Sequence, residues 1–295
     1  MVNSAAFEKN IIEHKNARKI FDPDVIKIMN DTLMMMPVDL PFIKKAADLR
    51  KIKAFSMDSN FVKKSVELTK RSLACFEGSD APIYTTAFSP SYTLRWLMRD
   101  REEDLLQFIE EDPDSLAIAL KSVAKSLIEF NRVLIKETSV EGFYYCVNNQ
   151  NNFFEDTLFA TYVAPYDKEV LEKANELSNI NILHICGYDG LSNDLKLFKD
   201  FEAPAFNWDV NAEGVSLAEG KKLFGGKAVI GGFEQDQVVY SGTREEVENA
   251  TFDILAECGQ IGTMIGAGCT LPTDIEEIRL EWVRQASIKY AIDNR

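Results

Sequence analysis

The stretch Ile180-Asn181-Ile182-Leu183-His184-Ile185-Cys186-Gly187 reads as a short apolar strand that stops abruptly on polar groups. Residues two apart on a strand point to the same face. His184 and Cys186 therefore present an imidazole and a thiol side by side, and Gly187 lets the chain turn. Outward from here the chain repeats one rhythm. Downstream, a helix over 191–198 leads to a strand over 203–208, and a helix over 216–223 leads to a strand over 227–232. A helix over 243–258 and a strand over 262–267 follow, then a last helix over 273–292, where Thr273 and Glu276 have capping-box spacing. Upstream, a strand over 142–147 runs into the polar run Asn148-Asn149-Gln150-Asn151-Asn152, and a helix interrupted by Pro165 fills 154–177. Strands alternating with helices imply βα units and a parallel sheet.

Before residue 141 the pattern is looser. A strand over 82–88 ends at Ser89-Pro90-Ser91, and helices follow over 92–99, 103–110 and 113–137, with Asp112 or Asp114 as caps. Residues 60–75 form an amphipathic helix with Phe61, Val62, Val66, Leu68 and Leu73 towards the core. Phe7, Ile11, Ile12, Val25, Ile26, Ile28, Met29 and Leu33 fall near helical spacing, so 5–36 reads as helical, with Asp22-Pro23 as a start. Met34-Met35-Met36 is core, Pro37 and Pro41 break the pattern, and 51–57 reads as a strand. Six strands are counted from Pro82 onward. Two more before residue 60 complete a single α/β domain over 1–295, a (β/α)8 TIM-type barrel with extra N-terminal helices in a divergent 1–60 part. An open doubly wound sheet is the alternative.

The chain has 295 residues, 46% of them hydrophobic, which suits one large core. A net charge of −14 argues against nucleic-acid binding. No apolar run is long enough to cross a membrane, and the N-terminus lacks a signal-peptide core, so a cytoplasmic location is expected. Five scattered cysteines read as free thiols, some of them metal ligands. No phosphate-binding glycine motif opens a helix, and Gly225-Gly226 and Gly231-Gly232 read as tight turns.

In a barrel, chemistry gathers at the C-terminal ends of the strands. Those ends carry Ser89 and Ser91; Tyr145, Asn148 and Asn149; His184 and Cys186; Asn207 and Asp209; Glu234 and Asp236; Cys269 and Thr270. Singly, such residues are more often caps or small core residues, which is how Cys75, Cys146 and Cys258 read. Together, His184, Cys186 and Cys269 make a soft ligand set for zinc with one position left open.

Several segments are similar to the uroporphyrinogen decarboxylase superfamily. They are the run Thr85 to Leu94, the helix from Phe154 to Pro165-Tyr166, His184-x-Cys186-Gly187, Ile230-Gly231-Gly232-Phe233-Glu234, and Gly266 to Pro272. The resemblance covers roughly Pro82 to the C-terminus and is nearer to the cobalamin-dependent, zinc-containing methyltransferases. Their His-x-Cys…Cys zinc signature falls on His184, Cys186 and Cys269, and an acidic residue beside the zinc falls on Asp209. The decarboxylases instead carry Gly-His-Gly where this chain has Gly268-Cys269, and an N-terminal Met-Arg-Gln-Ala-Gly-Arg segment not found in residues 1–60. The resemblance implies methyl transfer from methylcobalamin, held as a corrinoid on a separate protein, to a small-molecule thiol. Asp209, Tyr145 and Asn148 are then the expected catalytic groups, and Ser89, Asn149, Asn207 and Glu234 the substrate-binding ones. A homodimer is compatible with it. The alternatives are a decarboxylase of porphyrin biosynthesis and a non-catalytic barrel that only binds a corrinoid or tetrapyrrole.

Overall fold

A computed structural model describes residues 4–20, 23–29, 42–187, 191–234, 237–272 and 274–294. It divides into two compact units, Met1–Val147 with Phe154–Asn181, and Asn148–Phe153 with Ile182–Arg295.

In the first unit, β1 (Ile26–Ile28), β2 (Ile83–Phe88) and β3 (Gly142–Val147) pair in parallel, with Ile26 opposite Ile83 and Tyr84 opposite Gly142. Every residue of β3 is buried, which is why the strand is a continuous apolar run rather than an alternating one. Its helices are α1 (Ser4–Ile20), α2 (Asn60–Leu73), α3 (Pro90–Leu97), α4 (Glu102–Glu111), α5 (Pro113–Glu137), α6 (Asp156–Leu158) and α7 (Ala164–Asn175). The long α5 starts where Asp112 accepts a hydrogen bond from the Ser115 N–H and Pro113 occupies the first turn. It buries Leu116, Ala119, Leu120 and Val123, one helical stripe. Between α6 and α7 the chain widens into a π-helical turn, Phe159–Val163, with the Ala164 N–H bonded to the Phe159 carbonyl. Pro165 follows at once and has no N–H to continue the ladder, which places the irregularity here.

The second unit holds β4 (Ile182–Ile185), β5 (Ala205–Trp208), β6 (Ala228–Phe233) and β7 (Thr263–Ala267), parallel and paired in chain order. Its helices are α8 (Val210–Glu213), α9 (Leu217–Leu223), α10 (Val238–Ser241), α11 (Arg244–Cys258) and α12 (Glu277–Asp293). Capping boxes open α9 at Ser216 with Glu219, and α11 at Thr243 with Glu246. The register sets His184 opposite Asn207 and Asn207 opposite Ile230, one row across three strands.

The protein is thus α/β with parallel strands, seven of them among the described residues. Among the described residues one strand precedes residue 60, and the eighth strand of the expected barrel is not among them. The expected helix over 5–36 stops at Ile20, and Val25 to Met29 instead carry β1. Ile26 and Ile28 fit both a helical and an alternating pattern. Pairing with β2 and burial of both decide for the strand, which suits their branched side chains. The strand expected over 51–57 is absent: a 3-10 turn, Ala46–Lys51, precedes irregular chain. Residues 191–198 form only a short 3-10 turn, Leu195–Phe198, and Gly231 and Gly232 lie inside β6 rather than in a turn. The last helix begins at Glu277, four residues late. Asp22, Met34 to Met36, Pro37, Pro41, Asp236 and Thr273 lie outside the described residues. All five cysteines are free thiols. Among the described residues no helix is long and apolar enough to cross a membrane.

Candidate metal centre

His184 and Cys186 sit at the end of β4, and Cys269 follows β7 by two residues. One ligand atom from each lies within 4.8 Å of the other two. His184 and Cys186 are buried, while Cys269 is partly exposed and marks the open side. His184 Nε2 is 3.8 Å from Cys269 Sγ. Two Zn–S bonds of about 2.3 Å at a tetrahedral angle put the sulfurs about 3.8 Å apart. A contraction of about 1 Å at most therefore brings all three donors onto one ion. The donor chemistry and spacing fit zinc, with the fourth position free for an exogenous ligand.

The groups around this triad are polar and engaged. Asn207, 0% exposed, takes His184 Nδ1 at 2.5 Å on its Oδ1. Its Nδ2 donates to the carbonyls of Ile230 and Ala267 at 2.9 and 3.0 Å. Asn207 is expected to contact substrate; in the structure its amide oxygen meets the imidazole of His184. Asp209, just past β5, caps α8 by accepting from the N–H groups of Asn211 and Ala212 at 3.0 and 2.8 Å. Glu234, just past β6 and 3% exposed, accepts from the Val210 N–H at 3.0 Å. Burial first, and then the hydrogen bond and negative charge of Asp209, push its carboxyl up to about 9. Glu234 and Asp209 thus face each other as a hydrogen-bonded carboxyl pair. The three-donor cluster does not include Asp209.

Two residues not singled out from sequence tie the end of β4 in place. Asn193 Nδ2 donates to the Cys186 carbonyl at 3.1 Å and to Glu213 Oε1 at 2.8 Å, and its Oδ1 accepts from the Asn149 N–H at 2.7 Å. Glu213 also accepts from the Asn193 N–H at 2.5 Å. Burial lifts the Glu213 carboxyl to about 7, opposed by those Asn193 bonds. Asn149 thus meets Asn193 through its backbone N–H, while its Nδ2 donates to Asn152 Oδ1 at 3.5 Å. Asn148, 6% exposed, donates from Nδ2 to Gln150 Oε1 at 3.4 Å. Asn193 lies on a connection and Glu213 ends the four-residue α8, where apolar periodicity gives no signal.

Tyr145 and Ser89 belong to the first unit and have other partners there. The Tyr145 hydroxyl, 0% exposed, donates to the Asp167 carbonyl at 2.8 Å, and burial raises its pKa well above the usual phenol range. Ser89 caps α3 by accepting from the Tyr92 N–H and lies 3.0 Å from the Ser91 hydroxyl. Ser91 donates its N–H and its hydroxyl to Asp167 at 3.0 and 2.5 Å. All four side chains are fully buried, so this cluster fastens α3 and β3 to α7. Asp167 is not singled out by the sequence because an acid in the first turn of a helix reads as an ordinary helix-end charge.

Burial raises the Asp167 carboxyl from 3.8 to about 6, against the Ser91 and Ser89 bonds that lower it. A raised folded-state pKa contributes stability in full below pH 3.8 that is lost as pH rises through about 6. The shift of about 2 units corresponds to about 3 kcal/mol. Asp167→Asn removes the charge and keeps the shape, and the serine hydroxyls can turn to accept from its amide. The variant is expected to match wild type below pH 4 and to exceed it by about 1–3 kcal/mol above pH 7. Urea denaturation of both proteins across this range reads the difference, and a pH-independent gap contradicts it.

No curated protein sequence matches the chain. A family model described as Uroporphyrinogen decarboxylase (URO-D) matches residues 31–290. Among solved structures, a methyltransferase from Methanosarcina mazei superposes with a TM-score of 0.77 at 13% identity, covering 97% of this chain and 86% of its own. A B12-independent methionine synthase from Shewanella sp. W3-18-1, in complex with selenomethionine, gives a TM-score of 0.50 at 16% identity, covering 80% of this chain and 68% of its own. At these identities the likeness is one of fold.

Proposed function

Because the chain belongs to the uroporphyrinogen decarboxylase family, we propose that it is a zinc-dependent methyltransferase that moves a methyl group from a corrinoid to a small-molecule thiol. The observation that carries this is the convergence of His184, Cys186 and Cys269 within 4.8 Å. Those three side chains would hold zinc. Bound there, zinc would lower the pKa of an incoming thiol and keep it as a nucleophilic thiolate at neutral pH. The two cysteine thiolates would balance the charge of the dication, which would leave a third thiolate reactive.

The chain's own groups do the rest. Cys269 borders the open side, where the acceptor enters. Asn207 holds the imidazole from behind. The thiol proton leaves through Asp209, which is paired with Glu234. In the transfer an S–C bond forms, the Co–C bond breaks, and its electron pair stays on cobalt. The corrinoid comes on a partner protein. Asn148 orients the acceptor, while Tyr145 and Ser89 are assigned to fastening α7. The fold shared with a methyltransferase and a B12-independent methionine synthase supports the methyl-transfer part of this reading.

The test is zinc content of the purified protein, followed by thiol methylation with methylcobalamin monitored by absorbance. About one zinc per chain and thiol-dependent demethylation are expected. Little or no decarboxylation of uroporphyrinogen is expected, since Cys269 stands where the decarboxylases have histidine and their arginine segment is missing from residues 1–60. Robust turnover to coproporphyrinogen would move the protein to the decarboxylase class. Corrinoid binding without turnover of either substrate would leave only a binding role.

A further inference from the structure

The row His184, Asn207, Ile230 across β4, β5 and β6 raises a question of proton placement. A neutral imidazole carries one N–H, on either nitrogen, and only the other nitrogen can bind a metal. The partners of the Asn207 amide answer it. Nδ2 lies 2.9 Å from the Ile230 carbonyl and 3.0 Å from the Ala267 carbonyl. Carbonyl oxygens only accept, so both amide hydrogens are taken and the amide cannot flip without facing oxygen to oxygen. Its Oδ1 is thereby left as the group 2.5 Å from His184 Nδ1. An oxygen in that place accepts, so the proton sits on Nδ1. The Nε2 lone pair then faces Cys269 Sγ at 3.8 Å.

We propose that Asn207 is a positioning residue: β6 and β7 orient its amide, and the amide fixes neutral His184 as the Nδ1–H tautomer with Nε2 aimed at the two thiols. In water an imidazole favours the opposite form, with the proton on Nε2. Without Asn207 the ring must shed that preference before it can bind a metal. A group that sets the tautomer of a metal-binding histidine typically contributes about 10–100-fold to metal affinity. The affinity part of this inference rests on the proposed metal centre; the tautomer part does not.

The two-histidine composition makes the test direct. His14 donates from Nδ1 to the Asn10 carbonyl at 2.8 Å and accepts the Met29 N–H on Nε2 at 3.1 Å. It is thus a second Nδ1–H ring and an internal reference. Wild type, Asn207→Leu and Asn207→Asp are stripped of metal and labelled at histidine. Long-range nitrogen–proton NMR spectra are recorded at pH of about 8.5, where an ordinary imidazole is neutral. Wild type should show two Nδ1–H rings. Asn207→Leu, which keeps the volume and removes the acceptor, should move one ring towards the Nε2–H form and weaken zinc about 10–100-fold in competition with a coloured chelator. Asn207→Asp keeps the acceptor facing Nδ1, and with its other oxygen protonated to meet the Ile230 and Ala267 carbonyls it should keep both rings Nδ1–H.

An Nε2–H ring for His184 in wild type overturns the proposal. So does an Asn207→Leu protein with unchanged tautomer and unchanged zinc affinity. If Asn207→Leu does not fold by circular dichroism, the wild-type and Asn207→Asp spectra decide. A wild-type protein with two Nδ1–H rings that binds no zinc removes the proposed function and supports the positioning of the ring.

Discussion

Cys186→Ala, Cys269→Ala and His184→Ala are each expected to abolish most zinc binding and most thiol methylation, and any two together to add little. The reason is geometric. The three donor atoms lie within 4.8 Å of one another and are proposed to serve one ion, so loss of one leaves the others without a competent site. Each single change removes a ligand rather than a supporting group, so the loss should exceed the roughly 10–100-fold typical of the latter. Groups that act as a unit give non-additive losses. Cys258→Ala is the matched control. Cys258 ends α11, is 9% exposed, and accepts a hydrogen bond from the Thr263 hydroxyl at 3.2 Å. Its loss should cost about 1 kcal/mol in packing and leave zinc and activity unchanged. Zinc per chain and methyl transfer are measured at equal protein concentration, with unfolding followed separately. Full metal and full activity in Cys186→Ala and Cys269→Ala, or a control that behaves like them, would refute the shared site.

How much of this could be read in the chain varies with the physics of each part. The strands β2 to β7 were legible because each is a short apolar run bounded by turn residues, and their ends carried the three donors. The partnering of those ends was not legible. Asn207 looked like a substrate contact because a polar residue on a strand end says nothing about which way its amide is satisfied. Two carbonyls on β6 and β7 decide that, and they are distant in sequence. Ser89 and Tyr145 looked like rim residues for the same reason. Their partner Asp167 lies on α7, beyond a π-helical turn with no sequence motif of its own. The N-terminal part was misread at β1 because Ile26 and Ile28 satisfy both periods over so short a span, and only pairing with Ile83 and Thr85 separates them.

Gly268→Ala is expected to destabilise the protein by about 3 kcal/mol, the upper end of ordinary overpacking, and to weaken zinc binding strongly. A methyl group there would meet Glu234 Oε1 at 2.6 Å, the Asp209 Cα at 2.7 Å and the Trp208 carbonyl oxygen at 2.9 Å. Two of these are backbone atoms at the end of β5. The third belongs to a carboxyl held by the Val210 N–H at 3.0 Å and by Asp209, so it cannot swing aside freely. Retreat of Gly268 itself is opposed by its N–H, bonded to the Phe233 carbonyl at 2.9 Å. Whatever yields, the adjacent Cys269 moves, and the spacing of the three donors is lost. Gly214→Ala separates this clash from simple backbone strain. Gly214 ends α8 at φ +62°, with nothing within 4 Å of the added methyl. That substitution should cost about 1–2 kcal/mol through the left-handed conformation alone and leave zinc affinity as in wild type. Denaturant unfolding of the metal-free proteins gives the two stabilities, and chelator competition gives the two affinities. A Gly268→Ala protein no less stable than Gly214→Ala, with wild-type zinc affinity, would show that β7 does not need a bare backbone there to bring Cys269 against β5 and β6.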